Sequence, residues 1–241
     1  GAAAALLLAG VAVASPPGPT LLVGYSTVAG DGLRPEGADP GRRLEEACPA
    51  LAPVERRAEA GGTVEWLERT LCGEPPSGPV VMLGGTNDDL LWGLRQGGAG
   101  GTAAFLLAGL RATLSPATWT AGDVERFYVD AAERSRGAAE PQADAYRRAT
   151  GCAVQGGGRF LLAQNFLLED LLPGRGPTRS ELVAARFAAV RAAGGEAIDL
   201  LERLGDEAAL SWFADYIHLS AVGHQRAGGA ICEALGDTPP Q

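Results

Sequence analysis

The chain contains no lysine; all 20 of its basic residues are arginine. This absence excludes every chemistry that needs an amine side chain: a Walker lysine on a phosphate, a Schiff base, a Ser–Lys dyad. Histidine is scarce as well, with only His218 and His224. Four cysteines without a C-x-x-C spacing add little to those two, so a zinc site is poorly supplied and no metal or cofactor is expected. Neither G-x-S-x-G nor H-E-x-x-H occurs, which argues against a strand-to-helix nucleophile elbow and a zinc-protease helix. Positive charge is also short. Twenty basic against 29 acidic residues give a net charge of −9, so nucleic acid and anionic membrane surfaces are not expected partners.

What is present is enough for one full core: 241 residues, 46% of them hydrophobic. Residues 2–14, AAAALLLAGVAVA, are uncharged and apolar, too short to span a bilayer comfortably, and end in a small-x-small pattern before SPPGP. This reads as the apolar region and exit of a secretory signal whose basic start and Met are missing, so export to the periplasm or medium is expected. Cys48, Cys72, Cys152 and Cys232 then suit two disulfides. Four cysteines allow three pairings; Cys48 with Cys72 and Cys152 with Cys232 is expected, because it closes the shorter loop locally.

Buried strands are expected at Thr20-Leu21-Leu22-Val23-Gly24, at Pro79-Val80-Val81-Met82-Leu83-Gly84 and at Arg159-Phe160-Leu161-Leu162-Ala163-Gln164. Weaker ones fall at 54–60 and 196–201. Helical patterns lie between them, near 42–48, from a Thr63 cap to Leu71, at 90–95, at 102–114, at 179–193 and up to about Leu235. Strands alternating with helices predict a three-layer α/β/α fold with a mostly parallel sheet. One domain, 19–236, is expected between a signal remnant with its spacer at 1–18 and a tail at 237–241, with 98–158 as an elaboration and the chain a monomer. Gly98-Ala99-Gly100-Gly101-Thr102-Ala103 matches a dinucleotide-binding string but follows a helical pattern instead of a strand, so its context fails.

Both histidines sit in Asp215-Tyr216-Ile217-His218-Leu219-Ser220-Ala221-Val222-Gly223-His224. Histidine is the commonest general base, and a carboxylate three residues away on a turn can fix its tautomer. Sites in parallel sheets form at the carboxyl ends of strands. Three such ends carry candidates: Ser26 after the first strand, Gly61 (or Gly62) after the second, Asn87 after the third. Each has an ordinary explanation when taken alone. Ser26 suits a hydrogen-bonding turn, Asn87 a helix cap, Gly61 a bend. His224 competes with His218 as base, but it is nine residues from Asp215 and reads as a surface or cap residue of the last helix.

In their order, these residues resemble the SGNH (GDSL-type) hydrolases from about Leu21 to Leu235. Gly85-Thr86-Asn87-Asp88 matches the third block of that family, Gly-x-Asn-Asp. Asp215-Tyr216-Ile217-His218 matches its fifth, Asp-x-x-His. Gly24-Tyr25-Ser26 corresponds to the first, Gly-Asp-Ser, and Gly61 to the glycine of the second. The resemblance implies a flavodoxin-like architecture and a serine ester hydrolase, with Ser26 as nucleophile, His218 as base and Asp215 as its support. The N–H groups of Ser26 and Gly61 and the Asn87 amide would form the oxyanion hole. Small-molecule, lipid and acylated-carbohydrate esters are the implied substrates. Acyl transfer to a sugar hydroxyl and a non-catalytic binding protein on the same scaffold are the alternatives. The clear departure is Tyr25, where the family has Asp; a bulkier, uncharged side chain there alters the turn or narrows an acyl pocket. Trp119, Phe127 and Tyr128 are further pocket candidates.

Overall fold

The computed structural model describes residues 18–29, 39–89, 139–166, 177–204, 212–213 and 218–236. Five strands form its sheet: β1 (Thr20–Gly24), β2 (Val54–Ala58), β3 (Val80–Gly84), β4 (Phe160–Gln164) and β5 (Glu196–Asp199). Their order is β2-β1-β3-β4-β5, and every pairing is parallel. The three central strands are buried at every residue, as a parallel sheet covered on both faces requires. The charges that make the second strand weak in the sequence, Glu55, Arg56 and Arg57, are explained by its place at an edge.

The helices are α1 (Ser26–Ala29), α2 (Pro40–Ala47), α3 (Val64–Gly73), α4 (Ala139–Gln155), α5 (Pro177–Ala192), α6 (Leu200–Leu204) and α7 (Ala221–Ala234). Residues 86–89 are also helical. The patterns at 90–95 and 102–114, and Trp119, Phe127 and Tyr128, lie outside the described residues.

Because strand side chains alternate, the sheet feeds two separate cores. Leu22, Val81, Leu83, Leu161 and Ala163 pack with Leu44 of α2 and Ala227 and Ile231 of α7. Leu21, Val23, Val80, Met82, Phe160 and Leu162 pack with Val64, Leu67 and Leu71 of α3, Tyr146 and Ala149 of α4, and Val190 of α5. The expected three layers are present. Among the described residues no helix is long and apolar enough to cross a membrane.

The disulfides follow these faces and correct the expected pairing. Cys48 bonds Cys232, and Cys72 bonds Cys152. Cys48 caps α2 and Cys232 lies in α7, on one face, whereas Cys72 in α3 and Cys152 in α4 share the other. Cys48 and Cys72 are near in sequence but have the sheet between them, so local loop closure is the wrong criterion.

Candidate active site

The order 2-1-3-4-5 reverses direction between β1 and β3, and ligands in open α/β sheets bind at the carboxyl ends beside such a switch. Ser26, Gly61 and Asn87 all follow strands at that place. Ser26 is the first residue of α1, one residue past Tyr25 and two past the end of β1. It is half-buried. The first turn of a helix leaves its N–H groups without partners in its own ladder.

After β2 the chain turns through Gly61, which is exposed and has φ of 71°, a left-handed conformation that suits glycine. Gly62 behaves differently. It is buried, and its N–H donates to the Glu59 carbonyl at 2.9 Å. Its own carbonyl accepts the Asn87 side-chain amide at 3.1 Å. Gly62 thus has its N–H committed within the turn, and the turn after β2 is tied directly to the turn after β3. Asn87 is buried and helical instead of preceding a helix as its cap.

His218 lies three residues before α7, in a segment held at several points. Leu219 bridges Phe213, and the Ser220 N–H donates to the Trp212 carbonyl at 2.7 Å. Ser220 caps α7, accepting from the Gly223 N–H at 3.3 Å. Any Cβ at Gly223 would lie 2.3 Å from the Trp212 carbonyl oxygen, so only glycine permits this close approach. Asp215 lies outside the described residues.

His224 corrects the sequence reading of a surface or cap residue. It is 3% exposed, with Nδ1 3.0 Å from the Ser220 carbonyl and Nε2 3.2 Å from the Thr27 carbonyl. Burial pulls its pKa below the ordinary value, against the two carbonyls, which favour the charged form; the charge of His218 lowers it further. Since Thr27 follows Ser26, this contact brings the start of α7, and with it the His218 segment, beside the Ser26 turn. Among the described residues no hydrogen bond joins the Ser26 hydroxyl to the His218 ring.

Beneath these turns lies a buried polar network whose role the sequence reading did not assign. Asp88 is fully buried. Its Oδ2 accepts from the Tyr25 hydroxyl at 2.9 Å and the Tyr146 hydroxyl at 2.6 Å. Its Oδ1 accepts from the Val64 N–H at 2.7 Å. This last bond supplies the start of α3, where the sequence predicts a Thr63 side-chain cap; the Thr63 hydroxyl instead bonds Glu65. Burial pushes the Asp88 carboxyl up to about 6, against the Arg186 cation and the bonds from Tyr146, Val64 and Tyr25, which pull it down. The same burial and the Asp88 charge hold both phenols well above their usual range.

Next to it, Arg186 of α5 is 1% exposed. It pairs with Asp89 at 2.6 Å, bonds Gln142 at 3.1 Å and Gln164, and lies 5.0 Å from the centre of the Tyr146 ring. Burial works most strongly against its charge, but Asp89, Tyr146 and Asp88 together outweigh it, Asp89 contributing most, and keep the guanidinium charged. The signal in the sequence is a lone Arg within Val183-Ala184-Ala185-Arg186-Phe187-Ala188-Ala189, an otherwise apolar stretch.

No family model and no curated protein matches the chain. Solved structures do. TesA is 17% identical, with 90% of this chain and 98% of TesA covered and a TM-score of 0.55. A phospholipase A1 from Streptomyces albidoflavus NA297 is 12% identical over 92% of this chain and 99% of its own, with a TM-score of 0.54. An extracellular lipase from Streptomyces rimosus is 12% identical over 90% and 99%, with a TM-score of 0.55. At these identities the likeness is one of fold, and it extends over nearly all of each chain.

Proposed function

We propose that this chain, which has the fold of the SGNH hydrolases, is a serine ester hydrolase that cleaves carboxylic esters through an acyl-enzyme on Ser26. One observation carries the reading. The turns of Ser26, Gly61 and Asn87 follow three adjacent parallel strands at the switch of strand order, and the His224–Thr27 contact sets the His218 segment beside them.

In this reading His218 takes the Ser26 proton as Oγ attacks the ester carbonyl, and Asp215 holds the imidazolium that forms. The charge that builds on the carbonyl oxygen is met by the N–H groups of Ser26 and Gly61 and by the Asn87 amide. An amide has two N–H bonds. Gly62 takes one from Asn87, and the second is the one assigned to the oxyanion. Collapse of the intermediate expels the alcohol with the proton from His218. Water, activated by the same base, then frees the acid. Among the described residues no hydrogen bond joins Ser26 to His218; substrate binding is expected to form it, as catalytic hydrogen bonds commonly tighten in the loaded enzyme. The fold shared with a phospholipase A1 and an extracellular lipase supports an ester as substrate, and the two disulfides support an exported protein.

The test is hydrolysis of a p-nitrophenyl acyl series, short to long, by the purified chain and by Ser26→Ala. Loss of at least about a thousandfold in kcat is expected for the variant. Activity that survives Ser26→Ala would overturn the assignment. A folded chain inactive on every ester, with transfer to an added sugar acceptor, would replace hydrolysis by acyl transfer.

A further inference from the structure

We propose that Tyr25 and Asp88 are a matched positioning pair, in which the phenol held by the buried carboxylate fixes the Ser26 turn relative to the turns of Gly61 and Asn87. The inference rests on the hydrolase reading above.

Tyr25 does not narrow a pocket. It is 2% exposed and packs into the core shared with α3 and α4, edge-on to Trp66 with ring centres 6.4 Å apart. Its backbone carbonyl accepts the Ala29 N–H at 2.8 Å, so the residue anchors α1 through its main chain and the core through its side chain. Ser26 is attached directly to this anchor.

Asp88 is attached in the same way to Asn87. Its carboxylate reaches the turn after β1 through Tyr25 and the start of α3 through Val64; its carbonyl accepts Gln142 Nε2 at 2.8 Å. Asn87 itself holds Gly62. One carboxylate thereby joins the three chain segments that present the assigned nucleophile and oxyanion donors. Gly62 makes room for the ring, since a Cβ there would lie 3.1 Å from the Tyr25 Cδ1. Buried, fully bonded networks of this kind resist deformation, because a displaced member has no water to turn to. Oxyanion donors act only within about 2.7–3.1 Å of the developing charge, and a displacement of about 1 Å can cost on the order of 10²-fold.

The pair gives the departure at position 25 a role. The phenol is long enough to reach Asp88 and donates to its carboxylate, whereas a shorter side chain at position 25 would leave that bond unmade and a gap in the core.

The experiment compares Tyr25→Phe, Asp88→Asn, Tyr25→Asp and Tyr146→Phe with the parent. Active sites are titrated with a p-nitrophenyl phosphonate, so that kcat is counted per reactive serine, and melting is followed in parallel. Tyr25→Phe and Asp88→Asn are each expected to lower kcat per titrated site by about tenfold, with KM within about twofold. The double variant is expected to be no worse than the poorer single one, because both remove one interaction. Tyr25→Asp should be poorer than Tyr25→Phe. Tyr146→Phe removes the other phenol from the same oxygen without touching the Ser26 turn, so it should lower melting while keeping kcat per site within about twofold.

Parent-like kcat per site in Tyr25→Phe or in Tyr25→Asp would overturn the pair. So would an equal loss in Tyr146→Phe, which would mark the network as purely structural. Should Tyr25→Phe not fold, Asp88→Asn against Tyr146→Phe decides on the same terms. Activity surviving Ser26→Ala sinks the hydrolase reading itself, whereas its loss there with an unaffected Tyr25→Phe sinks only the pair.

Discussion

On one face of the sheet α2 and α7 are joined by a disulfide whose two cysteines are buried, and the single buried titratable group there, among the described residues, is His224. On the other face α3 and α4 are joined by a disulfide whose Cys72 is exposed, and below the strand ends lie Asp88, Asp89 and Arg186. Both faces must hold the same turns in place at the top of the sheet. One does so with a single buried imidazole set between two backbone carbonyls, the other with charges paired in the dry interior. The same strand ends are thus supported from two sides by different polar means, and each side has its own way of failing.

The largest difference should come from Arg186→Met. It removes the guanidinium that pairs with the buried Asp89 carboxylate, and breaking such a pair from one side typically costs about 3–5 kcal/mol. Urea unfolding measures it. A loss below about 1 kcal/mol would mean that solvent reaches Asp89 and that this face is not dry.

The disulfides come next. Removing either as a Cys→Ala pair is expected to lower stability by about 2–4 kcal/mol, with the larger loss for Cys48–Cys232, which spans 184 residues against 80. Limited reduction followed by alkylation and peptide mapping should label Cys72 and Cys152 first, because reductant reaches an exposed sulfur sooner. Labelling of Cys48 and Cys232 first would contradict the burial of that pair.

Smaller, and opposite in sign, are the two pH dependences. The Asp88 carboxyl is raised from 3.8 to about 6, so the folded chain keeps a proton that the unfolded chain has lost between those values. Its contribution is fully present below about pH 4 and is lost as pH rises through 6, up to about 3 kcal/mol in all. The pKa of His224 is lowered, so the unfolded chain takes up a proton first. Its contribution is present above about pH 6.5 and is lost as pH falls. Urea midpoints from pH 4 to 8 should therefore lose their downward slope toward neutrality in Asp88→Asn and their loss on acidification in His224→Asn. The same slope in either variant and the parent would remove that group from the comparison.

Much of this architecture is legible before any coordinates. A run such as Val80-Val81-Met82-Leu83 with no polar residue is a strand buried on both faces, and it is one. The glycine-rich turns after β1, β2 and β3 are legible too, and so are Ser26, Asn87 and His218 as candidates, because local spacing places them at chain turns. Tyr25 could be seen as a departure but not as a bond to Asp88, 63 residues away. Arg186 could be seen as an oddity but not as the partner of Asp89, 97 residues away. His224 could not be seen as buried at all, since what buries it includes Thr27, 197 residues before it.

Legible along the chain are the five strands, most of the described helices and their alternation, and hence the parallel three-layer fold, along with the chemical types available at the strand ends. These are local matters, set by side-chain periodicity, by turn chemistry and by the strand-to-helix alternation that a parallel sheet needs. Packing in three dimensions settles which helices share a face, and with that the pairing of the cysteines, the burial of His224, the cap on α3 and the carboxylate that gathers three turns. The physical reason is that a buried polar group is satisfied by whatever the packing brings to it. In a sheet of order 2-1-3-4-5 that partner comes from a distant segment, which no spacing along the chain records.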